Sequence, residues 1–235
     1  MTRLYLYGIT RPREMPDRIA KDGTSLVAAD GRAAIVSELE DDRPVEATRR
    51  NLLAHADVVE RLHEDAVVLP ARFGHVLESK DEALELLAVP EVEQLLQRHE
   101  KTCELTLKGN YEERVFAEVG AELGPLRNAY RAEPSFEAGI ALGEAVGEQL
   151  AERRSRDESL VLDTLDSLVR EVVVSEPAGE LAAFDLALLV ERDRVRAIES
   201  AVEKLAERLS PPLHFKLVGP LPPYSFVQLA LPAVA

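Results

Sequence analysis

Cys103 is the single cysteine in 235 residues, so no intrachain disulfide can form. It alternates with Leu105 and Leu107 as one face of a strand, which reads as a small buried hydrophobe rather than a nucleophile. Basic residues are also few. Against 43 Asp and Glu stand 28 Lys and Arg, a formal net charge of −15. That balance argues against nucleic acid, whose phosphates must be met by Lys and Arg, and against docking on anionic membranes. It favours solubility and opposes self-association. No apolar run approaches the ~18 residues of a membrane span. The opening MTRLYLYGITRP holds no stretch long enough for a signal peptide, so a cytoplasmic location is expected.

Catalytic patterns are missing as well. There is no Gly-rich phosphate loop followed by Lys, and no Gly-x-Ser-x-Gly elbow. His55 and His63 lie eight residues apart, not at zinc-binding helical spacing, and His99 and His214 are isolated. These histidines read as surface or boundary residues. Acidic side chains are so frequent that a close pair of them says nothing about acid–base chemistry. The expectation is no catalytic residue, no metal and no cofactor.

What is present is a core-forming sequence, 46% hydrophobic, with a clear succession of elements. Residues 4–9 read as a strand. Residues 26–39 read as a hairpin around Asp30-Gly31, a pair that supplies the positive φ of a tight turn. Residues 45–64 switch to helical spacing, with Leu52, Ala56, Val59 and Leu62 on one stripe and Thr48 able to cap a shorter helix. Residues 67–69 are a strand broken by Pro70, and 81–101 a helix divided by Pro90. Residues 102–108 form a strand ended by Gly109-Asn110. The next region is helical and broken at Gly124-Pro125 and Pro134. From Ser135 a helix carries Gly139, Gly143 and Gly147 on one face, a spacing that suggests close packing on a neighbour. Arg153, Arg154 and Arg156 mark its C-terminus, where positive charge is favourable, and a second helical piece spans 157–168. Strands at 171–174 and 184–190, the latter apolar on both faces and so central, lead to an amphipathic helix from Asp193. Pro211-Pro212 ends that helix. The expected fold is a small N-terminal α+β domain (1–100) and a ferredoxin-like βαββαβ domain (101–235) with extra helices and a C-terminal Pro-rich strap.

That strap is the stretch of greatest interest. In residues 213–227, Leu213, Phe215 and Leu217 alternate with His214 and Lys216 as a half-buried strand. Gly219 and Pro220 should stop it, and Pro220, Pro222 and Pro223 stiffen the backbone from there to Tyr224. The segment serves as a rigid cap on the core, as an aromatic surface for a partner through Tyr224 and Phe226, or as both. Nearer the N-terminus, Arg72 precedes Phe73 and Gly74. Such an arginine either holds an anion or carboxylate or pairs with one of the many acidic side chains.

Gly219-Pro220-Leu221-Pro222-Pro223-Tyr224-Ser225-Phe226 resembles the C-terminal signature of the gas vesicle accessory proteins GvpF and GvpL, with Leu221 where that family usually has an aromatic. Leu69, Pro70, Arg72, Phe73 and Gly74 match a second element of the family, Leu-Pro-x-Arg-Phe-Gly. The two stand in the right order. The resemblance implies a non-enzymatic accessory protein that engages the hydrophobic vesicle shell protein and other accessory proteins, in the cytoplasm and at the gas vesicle. Pro222, Pro223, Tyr224, Phe226, Arg72 and Phe73 are the candidate partner-binding residues. A ferredoxin-like domain also suits small-molecule binding or catalysis, which is the alternative, and that would require a pocket with convergent polar groups.

Overall fold

The structure, a computed structural model, describes residues 2–12, 23–40, 44–209 and 213–227. Among them lie nine strands and seven α-helices, a mixed α+β architecture with two antiparallel sheets. The chain divides into two compact units, Met1–Glu104 with Gly219–Ala235, and Leu105–Val218. The last segment thus belongs to the first unit by contact, although it comes after the second in sequence.

In the first unit, β1 (Arg3–Thr10) is the centre of a sheet. It pairs antiparallel with β3 (Arg32–Leu39), β4 (Val68–Pro70) and β5 (Val76–Leu77), and β2 (Ser25–Ala29) adds to β3. Asp30 and Gly31 join β2 to β3 with φ of 50° and 76°, the mirror-image turn that a twisted hairpin needs. The β1–β3 register shifts between Leu6 and Gly8, so a bulge falls at Tyr7. Gly8 admits no side chain: a Cβ there would sit 2.5 Å from the Leu69 carbonyl oxygen. Helix α1 (Arg49–His63) covers one face of the sheet, packing Val58, Val59 and Leu62 against Ile35 and Val68. Helices α2 (Lys80–Ala88) and α3 (Pro90–His99) cover the other with Leu86, Leu87, Val92 and Leu96 against Leu6 and Ile9. Thr48 caps α1 by accepting the Asn51 N–H, and Pro90 starts α3 where its missing N–H costs nothing. The buried stripe of α1 is turned from the expected one. His55, Val58, Val59, Leu62 and His63 face inward, and Leu52 is 44% exposed.

In the second unit the sheet order is β7-β8-β6-β9, from β6 (Thr102–Tyr111), β7 (Glu171–Ser175), β8 (Ala182–Glu191) and β9 (Leu213–Leu221). Helices α4 (Arg114–Glu122), α5 (Gly124–Ala132), α6 (Phe136–Leu165) and α7 (Val195–Leu209) complete it. Several sequence expectations fail here for identifiable reasons. β6 continues through Gly109-Asn110, because Gly109 lets the Phe184 ring lie on the backbone; a Cβ would meet that ring at 2.5 Å. β9 continues through Gly219 and Pro220, because it is an edge strand and an edge tolerates a residue without N–H. Helix α6 is one 30-residue helix and not two pieces. Its arginines lie within it, with Arg153 held by Glu118 at 3.0 Å and set 5.7 Å over the Tyr111 ring, so they mark no terminus. Gly143 and Gly147 have open space at their Cβ positions, so they serve no close packing inside the unit. Pro211 and Pro212, expected to end α7, lie outside the described residues.

Helix α7 buries Ile198, Val202 and Leu205, the last at 1% exposure. Leu205→Ala leaves a cavity under the helix and is expected to cost about 2–5 kcal/mol in chemical denaturation. A change near zero would mean that this face does not pack.

Candidate functional site

Two segments from opposite ends of the chain meet in the first unit. One is residues 70–75, which leave β4. The Ala71 N–H donates to the Tyr7 carbonyl at 2.9 Å, and the His75 N–H to the Arg72 carbonyl at 3.2 Å. Gly74 sits third in that turn at φ 83°, the type II position that a side chain disfavours. Phe73 is thereby fixed at the tip. The other segment is residues 222–227. The Phe226 and Val227 N–H groups both reach the Pro223 carbonyl, at 3.2 and 3.1 Å. Val227 enters the core beneath the sheet.

The second segment is held by Glu104, between Cys103 and Leu105 in the buried start of β6 and only 3% exposed. Its carboxylate accepts the Ser225 N–H at 2.7 Å and the Ser225 hydroxyl at 2.9 Å. Burial pushes the Glu104 carboxyl above its usual range, and the two bonds from Ser225 pull it partly back.

Between the segments lies a cleft of about 390 Å³. Helix α1 supplies Leu52, His55 and Glu60, the first segment Arg72 and Phe73, and the second Tyr224 and Val227. Its floor is aromatic. The His55 ring stacks on Tyr7 at 5.5 Å and meets Phe73 edge-on at 5.8 Å, and Tyr5 lies 6.2 Å from Phe73. Hydrogen bonds assign the His55 tautomer. Nε2 must donate to the Ala71 carbonyl at 3.2 Å, so Nδ1 accepts from the Tyr5 hydroxyl at 2.8 Å. The Tyr5 oxygen in turn accepts the Gly74 N–H at 3.2 Å. Both ring nitrogens are engaged, so His55 positions the turn and is no free base. Burial depresses the His55 pKa, with the Ala71 bond opposing, and burial depresses that of His75 also. Glu60 is raised by burial and then by Asp57, and the Tyr224 hydroxyl is raised by burial and then by the charges of Glu60 and Glu104. Tyr224 therefore stays a phenol and a donor. No trio of His, Cys, Asp or Glu suited to a metal occurs among the described residues.

Of the residues singled out in sequence, Arg72, Phe73 and Tyr224 share this cleft. Arg72 is exposed, and no ion pair occupies it among the described residues, contrary to the simpler expectation for it. Tyr224 is 36% exposed. Phe226 is half-buried and stands outside the lining, while Pro222 and Pro223 are buried and shape the turn. The sequence reading missed Tyr5, His55, Glu60, Glu104 and Ser225. Ser225 lies within the octapeptide 219–226 but no role is legible for it there, and Glu104 falls on the same strand face as Thr106 and Lys108, so alternation does not mark it. The histidines were misplaced. His55, His63 and His99 are 7%, 2% and 0% exposed, and His214 alone is on the surface, paired with Glu112 at 2.6 Å. A buried imidazole is tolerated when its nitrogens find partners, as at His55.

The family model described as gas vesicle synthesis protein GvpL/GvpF matches residues 3–228. Gas vesicle protein F of Streptomyces sp. (strain CB03234) is 32% identical over 241 residues, 95% of this chain and 99% of that protein. The protein of the same name from Dolichospermum flosaquae is 26% identical over 244 residues, 96% of this chain and 98% of its own. Among solved structures, that of GvpF from Anabaena sp. PCC7120 superposes with a TM-score of 0.83 at 24% identity, covering 97% of this chain and 99% of that one. GvpF from Microcystis aeruginosa gives 0.79 at 23% identity, covering 97% and 100%. At that identity the two structures speak for the fold.

The depressed His55 pKa has a measurable consequence. Below its ordinary value of 6.5 the unfolded chain takes up a proton that the folded chain refuses, so stability falls as pH drops from about 6.5 toward the folded pKa. His55→Gln keeps one donor and one acceptor but does not titrate. The stability of the variant relative to the parent should therefore rise between pH 7.5 and pH 5.5 in denaturant titrations. Parallel curves would contradict the assignment.

Proposed function

The chain belongs to the gas vesicle synthesis protein GvpL/GvpF family, with gas vesicle protein F relatives over nearly its full length, and we propose that it is a non-enzymatic assembly factor. In this reading it binds the hydrophobic shell protein and other accessory proteins while the vesicle forms. The carrying observation is the meeting of the two family-like segments at one cleft with an aromatic floor, an exposed Arg72 and a half-open Tyr224. An apolar segment of the partner lies along Phe73, Leu52 and Tyr224, and a carboxylate or C-terminal carbonyl of it meets Arg72. A net charge of −15 keeps the factor itself soluble while it handles a partner that aggregates. No helix among the described residues is long and apolar enough to cross a membrane.

The ferredoxin-like topology of the second unit is part of the same proposal. Along the chain its strands are β6, β7, β8 and β9, with helices after the first and third. The order β7-β8-β6-β9 puts the first strand between the third and the fourth, which supports a βαββαβ arrangement. A small-molecule role has one observation in its favour, the volume of the cleft, which falls in the ordinary range of ligand sites.

Co-expression of the tagged chain with the shell protein tests the proposal. The two should co-elute, with the shell protein soluble. Phe73→Ala, Tyr224→Ala and Phe226→Ala, checked for folding, should separate by their place in the cleft. The first two should lose on the order of tenfold in binding, as truncated aromatic anchors do, and the third less. Retention of full binding by Phe73→Ala and Tyr224→Ala in a folded protein would sink the assigned surface. A small ligand that raises the melting temperature without any shell-protein binding would favour the second reading.

A further inference from the structure

Helix α5 buries no residue, and α6 begins with Phe136 at 83% exposure. Of ten large hydrophobic side chains exposed among the described residues, five fall in α4 to α6: Phe116, Leu126, Tyr130, Phe136 and Ile140. Such concentration is unusual for a surface with nothing to bind. At roughly 100° per residue, Phe136, Ile140, Gly143 and Gly147 lie within about a 60° arc of α6. Phe136 and Ile140, the latter 45% exposed, form a ridge. Beyond them the two glycines leave a trough, since a Cβ on either would meet nothing within 4 Å. Glycine inside a helix is destabilising, and here no close approach within the unit offsets it.

The two sides of the stripe differ. On one side the Tyr130 ring approaches the Gly139 Cβ position at 3.4 Å, which extends the apolar surface. On the other, Glu137, Glu144 and Glu148 form an exposed row of carboxylates, without ion pairs among the described residues. A helix seated on the stripe would run its edge along that row.

We propose that this stripe of α6 docks an amphipathic helix of another protein, one with bulky apolar residues that fill the trough at Gly143 and Gly147 and a row of Lys or Arg that meets Glu137, Glu144 and Glu148. A second copy of the chain is the wrong occupant. Antiparallel pairing of two stripes sets Phe136 opposite Gly147 and Ile140 opposite Gly143, a good steric match. The twofold axis of that pair, however, lays the two carboxylate rows against each other, in chains that each carry −15. The face lies in the second unit and is independent of the cleft in the first, so either can fail without the other.

Two synthetic amphipathic helices of about 20 residues, with one apolar seam in common and either Lys or Glu along the flank, serve as probes. Fluorescence anisotropy with the full chain should show the Lys helix binding about tenfold tighter than the Glu helix at low salt, with the preference shrinking as salt rises. Ile140→Ser should weaken the Lys helix several-fold, and the triple variant Glu137→Lys, Glu144→Lys, Glu148→Lys should reverse the preference. All these residues are exposed, and an unchanged melting temperature confirms that the variants fold. The proposal is overturned if neither helix binds, if both bind equally, or if light scattering shows a self-associated chain that Ile140→Ser makes monomeric.

Discussion

A buried carboxylate with both oxygens occupied is the constraint on which the first unit depends. Glu104 leaves water almost completely, a costly move for an acid unless its oxygens find donors. It finds two on one residue, Ser225, 121 positions further along the chain. Closing so long a loop costs conformational entropy, which two hydrogen bonds alone do not offset. The remainder comes from Val227 in the hydrophobic core and from Pro222 and Pro223, which narrow the unfolded segment in advance. The strap therefore acts as a cap and as a wall of the cleft together.

The opposite wall rests on a different balance. Gly8 brings β1 against Leu69, and the bulge beside it sets Tyr5 and Tyr7 toward α1. His55 then joins α1 to the turn at Ala71, and Tyr5 joins His55 to Gly74. Phe73 and Arg72 thus sit in a turn tied down by Tyr5 and by His55, which itself lines the cleft. A polar network satisfied in this way holds the turn rigid. On a chain with so much negative charge, an exposed arginine with no ion pair among the described residues is a local exception.

Much of this was legible in the residues. Asp30-Gly31, Pro90 and Thr48 act locally, through φ, a missing N–H or a capping oxygen, and the structure uses each of them as the local chemistry dictates. Errors came where tertiary context outweighed local signals. Gly109 does not end β6, because the Phe184 ring needs the space, and Pro220 does not end β9, because that strand lies at an edge. The arginines of α6 carried a helix-end signature, yet Arg153 answers to Glu118 and to Asp157 within the helix. At the site, Arg72, Phe73 and Tyr224 stood out by motif. Ser225 lies in the same octapeptide as Tyr224, but its supporting role and those of Tyr5 and His55 did not show, because a hydrogen bond between residues 50 or 121 apart leaves no trace in spacing.

Native-state hydrogen exchange at the Ser225 amide tests the central claim, that Glu104 holds the strap which completes the cleft. In the parent chain this amide should be strongly protected. In Glu104→Gln, which can accept through only one oxygen, its protection should fall while the amides of β1 and β3 keep theirs. A Ser225 amide that exchanges at the rate of an unfolded chain in the parent, or one indifferent to Glu104→Gln, would contradict the account.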